Sequence, residues 1–500
     1  QDVVDWANKY LGPESYAIIY KREGKDPNEQ KIAAPKITPI VTNRDSQSEF
    51  LSEIQTSQVQ PIEPVFVDYK KDMSQFEAQP GIDVLYKKNE TNDIFTLIYV
   101  FNTGTENDPA LNLAFNYLSY LGTDKMTAEE IASEMYDIAC SFYMNAGANQ
   151  SSIQITGLSE NMGKAMEIVE GLIAGAKPDE AILENCKADM LKSRADAKLN
   201  QSRCFGALQR YLFYGGDFIR RTTLTDPALQ ALTSEQLLAK IGGLMGKQHE
   251  VLYYGPQKEA EVKSALAEHH KVAADLQPLE KKFSTLLPTD ANKVVLAQYD
   301  AKQLYYLQFS NRGEKFDLAA DPQITLYNEY FGGGMNTIVF QEMREARGLA
   351  YSAWANLAIP TNAKGDYYYM AFIATQNDKM QKAIEAFDEI INNMPESEKA
   401  FDIAKEALIS RLRTERTVKD GVLWSYIRMR DLGLTEPRGK QIFEKAQQMT
   451  LADVKAAQEK WVKGRKYVYG ILGDIQDLDL NYLKTLGPIQ TVTQEEIFGY

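Results

Sequence analysis

Gln341-Glu342-Met343-Arg344-Glu345-Ala346-Arg347-Gly348-Leu349-Ala350-Tyr351-Ser352 reads as a helix, a glycine stop and the start of a strand. Arg344 falls in the last helical turn, Gly348 is a natural terminator, and Tyr351 comes early in the strand. Just upstream, Tyr330-Phe331-Gly332-Gly333-Gly334-Met335-Asn336 sets three glycines ahead of that helix. Glycines there can bring a bound anion close to a helix N-terminus. No Lys-Ser/Thr follows, so this is not a P-loop, and a tight loop permitting close packing is the plainer reading. The helix-to-strand turn can carry Arg344 and Tyr351 to one edge. A guanidinium and a phenol there can donate to a peptide carbonyl, or to the oxyanion formed when it is attacked. The alternative is an Arg complementing a helix C-terminus beside a Tyr in a half-buried strand.

Around this stretch the second half of the chain follows a regular order. Leu304–Phe309 is strand-like, Ile324–Tyr330 helical, Tyr367–Ile373 alternating, and Met380, Ala383, Ile384 and Phe387 form a helical stripe. The first half runs the same way. Asp83–Tyr86 and Ile94–Phe101 are strand-like, and Leu111, Ala114, Phe115 and Leu118 have helical spacing. Thr127-Ala128-Glu129-Glu130 is a capping box opening another helix. Ser152–Thr156 alternates, Met162, Ala165, Met166, Val169 and Ile173 form a stripe, and longer helices lead to a strand at Val251–Tyr254. At an offset of 218 residues Met162, Lys164, Ala165 and Glu167 recur as Met380, Lys382, Ala383 and Glu385. The expected fold class is α+β, with two similar modules over 76–285 and 286–500, each an antiparallel-rich sheet packed on helices.

The start of the chain differs. Residues 1–80 hold seven of the 18 prolines. Tyr16–Tyr20 reads as one strand, and Pro35–Pro39 and Pro61–Pro64 favour extended backbone. Residues 1–75 are therefore expected to be the end of a preceding domain plus a linker. The chain begins at Gln1 with no initiator Met, basic n-region or apolar h-region, so a processed or truncated start is expected.

Composition narrows the chemistry. The 500 residues are 44% hydrophobic and 25% charged, ample for packed cores and an ordinary wet surface. A net charge of −14 argues against nucleic acid as a main partner, because phosphate binding needs a basic footprint. No apolar run approaches the ~20 residues of a membrane-spanning helix. Cys140, Cys186 and Cys204 are too few and scattered for a disulfide framework or a cysteine zinc site. His249, His269 and His270 are all the histidines there are, and no H-x-x-E-H or H-E-x-x-H exists. A self-contained zinc hydrolase or Ser-His-Asp enzyme is not expected.

The Gln341–Ser352 stretch resembles the signature in the last domain of pitrilysin/insulinase-type zinc metallopeptidases, the inverzincins. That resemblance implies mitochondrial processing peptidase-like modules, four of them in two halves closing around a chamber. It implies that Arg344 and Tyr351 hold the substrate backbone opposite the zinc, with the glycine loop nearby. Residues 83–175 resemble the module that carries H-x-x-E-H ahead of a Gly-Thr stretch in the active half. Here Leu121-Gly122-Thr123-Asp124-Lys125 is kept, while the motif's five positions read Leu113-Ala114-Phe115-Asn116-Tyr117. Leu113 is no ligand, Tyr117 is an unusual one, and the amide of Asn116 cannot act as a general base. The region 1–75 resembles the segment between the two halves.

The expectation is a non-catalytic half of a zinc metalloendopeptidase, with no catalytic or metal residue of its own. Zinc and its ligands would come from an N-terminal half, in the same polypeptide or a separate subunit. The substrate would be peptide or unfolded polypeptide. The alternative is a scaffold or core subunit of a larger complex, in a line that has lost catalysis. For a bacterial chain the expected compartment is the periplasm or cell envelope.

Overall fold

Every run read above as alternating or all-apolar between residues 80 and 380 becomes a strand, and each stripe of helical period becomes a helix. The computed structural model describes residues 1–14, 16–20, 24 and 48–500. They fall into two units, Gln1–Pro61 and Ile62–Tyr500.

The first unit contains two helices that the proline content hides, Asp2–Tyr10 and Glu49–Thr56, the latter capped by the Ser48 hydroxyl on the Leu51 amide at 3.1 Å. Tyr16–Tyr20, expected as a strand, pairs with no described strand, and Ile18 and Ile19 are exposed. A β-branched run needs a partner's backbone groups to become a strand, and none is offered among the described residues. The Pro35–Pro39 segment lies outside the described residues.

The second unit is built on two six-stranded sheets. The first contains β1 (Ser74–Gln79), β2 (Ile82–Lys88), β3 (Ile94–Phe101), β4 (Cys140–Ala146), β5 (Ser151–Leu158) and β6 (His249–Gly255), in the order β1-β2-β6-β3-β5-β4. The second contains β7 (Lys293–Gln298), β8 (Gln303–Lys315), β9 (Ser352–Ala358), β10 (Asp366–Gln376), β11 (Val468–Gly473) and β12 (Ile489–Val492), in the order β12-β7-β11-β8-β10-β9. The five strands β2-β6-β3-β5-β4 match β7-β11-β8-β10-β9 in order. Both sets are antiparallel except where the last-formed strand of each lies parallel to the first, β6 to β2 and β11 to β7. The sixth strand differs: β1 arrives by a hairpin, and β12 from the C-terminus runs parallel to β7.

One face of each sheet is covered by its own helices. In the first, Leu113, Phe115 and Tyr117 from the Leu111–Leu118 helix, and Met166 and Val169 from the Met162–Gly175 helix, pack on Leu97, Tyr99 and Ile155. In the second, the Asp321–Phe331, Met380–Asn392 and Glu398–Thr414 helices do the same with Tyr327, Phe387 and Leu408.

The opposite faces are covered by exchange. The Gln201–Thr222 helix, which follows the first sheet's strands, puts Leu208, Leu212 and Phe213 on Val295, Leu307 and Phe309 of the second sheet. Leu212 comes so close that a Cβ at Gly470 would meet it at 2.3 Å. In return the Gly421–Asp431 helix puts Val422, Leu423 and Ile427 on Leu85, Ile98 and Leu252 of the first sheet. Each such buried side chain contributes about 1.5–3 kcal/mol. The exchange is pinned by Arg430, bidentate on Glu250 at 2.5 and 2.7 Å, and by Lys281 on Asp431 at 2.6 Å. No helix among the described residues is long and apolar enough to cross a membrane.

Candidate functional site

Arg344 is carried on a wider turn than expected. After one α-turn at Ile338–Phe340, residues Gln341–Ala346 form a π-helix, an irregularity often found at functional sites. Gly348 then takes φ +58°, the left-handed conformation its sequence position predicts. The loop after it is sewn to the end of β10: the Thr375 hydroxyl donates to the Leu349 carbonyl at 2.5 Å, and the Tyr351 amide to the Ala374 carbonyl at 3.2 Å. These bonds fix Tyr351 immediately before β9.

The structure therefore brings the two expected residues together. The Arg344 guanidinium carbon lies 5.2 Å from the centre of the Tyr351 ring and 4.9 Å from that of Phe340. Held between two aromatic faces, the guanidinium keeps its edge free. Its one ion pair is a loose 3.6 Å contact with neighbouring Glu345, and Tyr351 is 75% exposed. Among the described residues neither the guanidinium nor the Tyr351 hydroxyl has a hydrogen-bond acceptor of the protein. Both donors are thus open to an outside carbonyl or carboxylate. Phe340 was not foreseen, although its position four residues before Arg344 on a helix is the spacing at which such pairs meet.

The glycine cluster divides in two. Gly332 lies against the edge of β9: its carbonyl accepts the Ala355 amide at 2.9 Å, and an added Cβ would stand 1.9 Å from the Ala355 oxygen. Further along the strand, the Asn328 side chain continues this pairing, accepting from the Leu357 amide at 2.9 Å and donating to its carbonyl at 3.0 Å. The edge of β9 is closed over these residues, which answers the liability of an open sheet edge. Gly333 and Gly334 are free of such contacts. With Met335, Trp354, Asn356 and Ile403 they line an open depression of about 610 Å³. The tight-packing reading thus holds for Gly332, and the other two glycines line the depression.

The five positions at which the zinc motif is expected lie on the Leu111–Leu118 helix. Leu113 is 0% exposed in the core, and Asn116 points outward. Tyr117 is also fully buried; its hydroxyl accepts the Asp179 amide at 2.8 Å and donates to the Ser234 hydroxyl at 2.9 Å. The second half has the same device. Tyr330, on the helix in the equivalent place, accepts the Ser397 amide at 3.1 Å and donates to the Pro395 carbonyl at 2.8 Å. Asp179 and Ser397 are the N-caps of the next long helix in each half, so the tyrosine holds down the residue that starts it. These side chains do not fit a metal. Among the described residues no group of three or more His, Cys, Asp or Glu is placed to hold one.

Residues 248–408, from β6 through the arginine-tyrosine pair into the Glu398–Thr414 helix, match the family model of the peptidase M16 inactive domain. Over those residues the chain is similar to the M16 inactive domain. The match bears out the resemblance drawn from Gln341–Ser352.

An uncharacterized zinc protease of Streptomyces coelicolor is 23% identical over 266 residues, covering 49% of the chain and 56% of that protein. A peptidase M16 inactive domain from Pseudomonas fluorescens superposes with a TM-score of 0.64 at 18% identity, over 80% of the chain and 98% of that structure. The periplasmic protease PqqL of Escherichia coli superposes with a TM-score of 0.62 at 14% identity, over 89% of the chain and 49% of PqqL. The chain thus spans little more than half of the curated relative and about half of PqqL, and the structural likeness is one of fold.

Proposed function

We propose that this chain is the non-catalytic half of a zinc metalloendopeptidase. It closes a chamber over an N-terminal half, joined in the same polypeptide or supplied as a separate subunit, that holds the zinc. Residues 1–75 then end a preceding domain and lead across to this half, and 76–285 and 286–500 are its two modules. The observation that carries the reading is the pair Arg344 and Tyr351, set side by side with no hydrogen-bond acceptor among the described residues, in a stretch similar to the M16 inactive domain. In a chamber closed over extended peptide these donors bind backbone carbonyls. They orient the chain and stabilise negative charge that develops on a carbonyl oxygen, without themselves moving a proton. A scaffold has no use for such a pair. The proposed compartment, for a bacterial chain, is the periplasm or cell envelope.

The test is peptide hydrolysis by the chain alone, by the catalytic half alone, and by the two mixed. Cleavage that appears on mixing and is abolished by chelator is expected. In the mixture, Arg344→Ala and Tyr351→Phe should each lower kcat/KM by roughly one to a few powers of ten, as loss of an oxyanion-type donor does. Unchanged kcat/KM in both variants refutes the assignment of the pair. A stable complex without cleavage points instead to a scaffold.

A further inference from the structure

Two of the three histidines meet inside the first half of the molecule, far in sequence from the arginine-tyrosine pair. His249 opens β6 and His270 follows the Glu259–His269 helix; they are 4% and 3% exposed, with their Nε2 atoms 2.9 Å apart. A contact that short needs one proton on the line between two nitrogens.

The outer nitrogens say where the other protons are. His249 Nδ1 lies 2.8 Å from the Lys247 carbonyl oxygen, which only accepts, so that nitrogen carries hydrogen. His270 Nδ1 lies 2.7 Å from Glu170 Oε1. The same carboxylate accepts the Tyr99 hydroxyl at 2.8 Å and the Lys271 amide at 2.6 Å, which matches an acceptor-only, ionised group. His270 Nδ1 therefore carries hydrogen as well. Two neutral rings so arranged would face each other lone pair to lone pair. Moving either outer proton inward only transfers the clash, to the Lys247 carbonyl or to the carboxylate.

We propose that the Tyr99–Glu170–His270–His249 chain holds one extra proton at neutral pH, placed on the line between the two imidazoles. We further propose that the seating of the Glu259–His269 helix on the first sheet depends on it. Shifting a proton from His270 Nδ1 to Glu170 leaves the line occupied and the total unchanged.

Among the described residues the surroundings supply no other counter-charge. The Met162–Gly175 helix contributes Glu170, and β3 contributes Tyr99, whose ring lies 4.3 Å from that of His270. Phe101 covers His249 at 4.5 Å. Glu167, one turn before Glu170, faces outward to His269 at 3.1 Å, with Glu268 beside that ring at 3.7 Å. Lys271 offers Glu170 only its amide, while its ammonium turns to the Glu268 carbonyl. Among the described residues no Lys or Arg side chain bonds Glu170, so the positive charge that faces it is the shared proton.

The test uses the full 500-residue chain labelled with ¹⁵N-histidine, where only three imidazoles give signals. At pH 7 one Nε2 of the pair should carry a slowly exchanging hydrogen with a coupling across to the other Nε2. His269→Gln assigns the remaining ring and should leave that signal in place. Two unprotonated Nε2 atoms at pH 7 overturn the proposal.

As pH is raised and the shared signal disappears, amide exchange in the Glu259–His269 helix should report an opening equilibrium that grows about tenfold per pH unit after correction for intrinsic exchange. That is the linkage of one proton. The Met380–Asn392 helix, which has no such network, serves as the flat control. Loss of the shared signal with no change in opening refutes the coupling to helix seating.

Discussion

Replacing Gly332 with alanine tests why three glycines stand together, because the geometry assigns a different tolerance to each. The new methyl carbon would stand 1.9 Å from the Ala355 oxygen and 2.9 Å from its carbonyl carbon. Both are backbone atoms of β9 and cannot swing aside, so loop and strand must separate by about 1 Å to restore van der Waals contact. That separation stretches the Ala355–Gly332 hydrogen bond, now 2.9 Å, and disturbs the adjoining Asn328–Leu357 pair at 2.9 and 3.0 Å. Overpacking costs about 1–3 kcal/mol, and each weakened hydrogen bond adds up to about 1 kcal/mol. Gly332→Ala should therefore destabilise the second sheet by about 2–5 kcal/mol. A methyl added at Gly333 would have no atom within 4 Å, and one at Gly334 would have only Thr337 Cγ2 at 3.8 Å. Neither has positive φ, so alanine at either should stay within about 0.5 kcal/mol of the parent. Urea denaturation followed by tryptophan fluorescence reads the difference, since Trp354 on β9 and Trp461 both lie in this half. Equal losses at Gly332 and Gly333, or none at Gly332, would refute the argument.

Three further outcomes follow from the same geometry. Tyr117→Phe and Tyr330→Phe should each cost about 1–3 kcal/mol in denaturant unfolding, because each leaves a buried helix-start amide without its acceptor; neutrality at both would show that water replaces the hydroxyl. Building the zinc motif back with Leu113→His, Asn116→Glu and Tyr117→His should lower the melting temperature and yield no stoichiometric zinc by elemental analysis, since Leu113 is 0% exposed in the core. Burial and the neighbouring His270 keep a further proton off His249, pushing it down to about 4. Below about 6.5 the unfolded chain takes up a proton that the folded chain refuses until about 4, so this stabilisation is complete above 6.5 and lost as pH falls, by about 3 kcal/mol in all. An acid slope of unfolding free energy no steeper in the parent than in His249→Gln would contradict it.

The sheets were legible because their strands are buried on one face and alternate, or on both faces and are all apolar. Ile94–Phe101 is read from sequence to the residue. β4, β9 and β12 are edge strands of mixed polarity, and weak patterning there follows from having one neighbour instead of two. Tyr16–Tyr20 fails in the opposite sense, as its composition is that of a strand but no described strand pairs with it. The Arg344–Tyr351 approach was legible through Gly348, because a left-handed stop fixes how the chain turns from helix to strand. The π-turn and the Phe340 ring beneath the guanidinium were not, since hydrogen-bond register within a helix leaves no mark on apolar spacing. The exchange of helices between the two sheets was equally hidden. Leu208, Leu212 and Phe213 read as one more amphipathic face, and nothing local says which sheet it covers.

The two tyrosine anchors give the Leu111–Leu118 and Asp321–Phe331 helices a structural role that needs no metal. In each half this helix sits between the strand before it and the long helix that packs beside it, with Tyr117 and Tyr330 at equivalent places near its end. A zinc ligand at that position would face a cation and would need its own carbonyl or carboxylate partner to fix the imidazole. The phenol instead faces a backbone amide, and it satisfies the residue that caps the following helix at Asp179 or Ser397. The position is a buried polar anchor, and the group it holds is main chain. Because Tyr117 and Tyr330 are buried and bonded at both ends, they have no donor to offer a substrate. Arg344 and Tyr351, exposed and without a hydrogen-bond acceptor among the described residues, do.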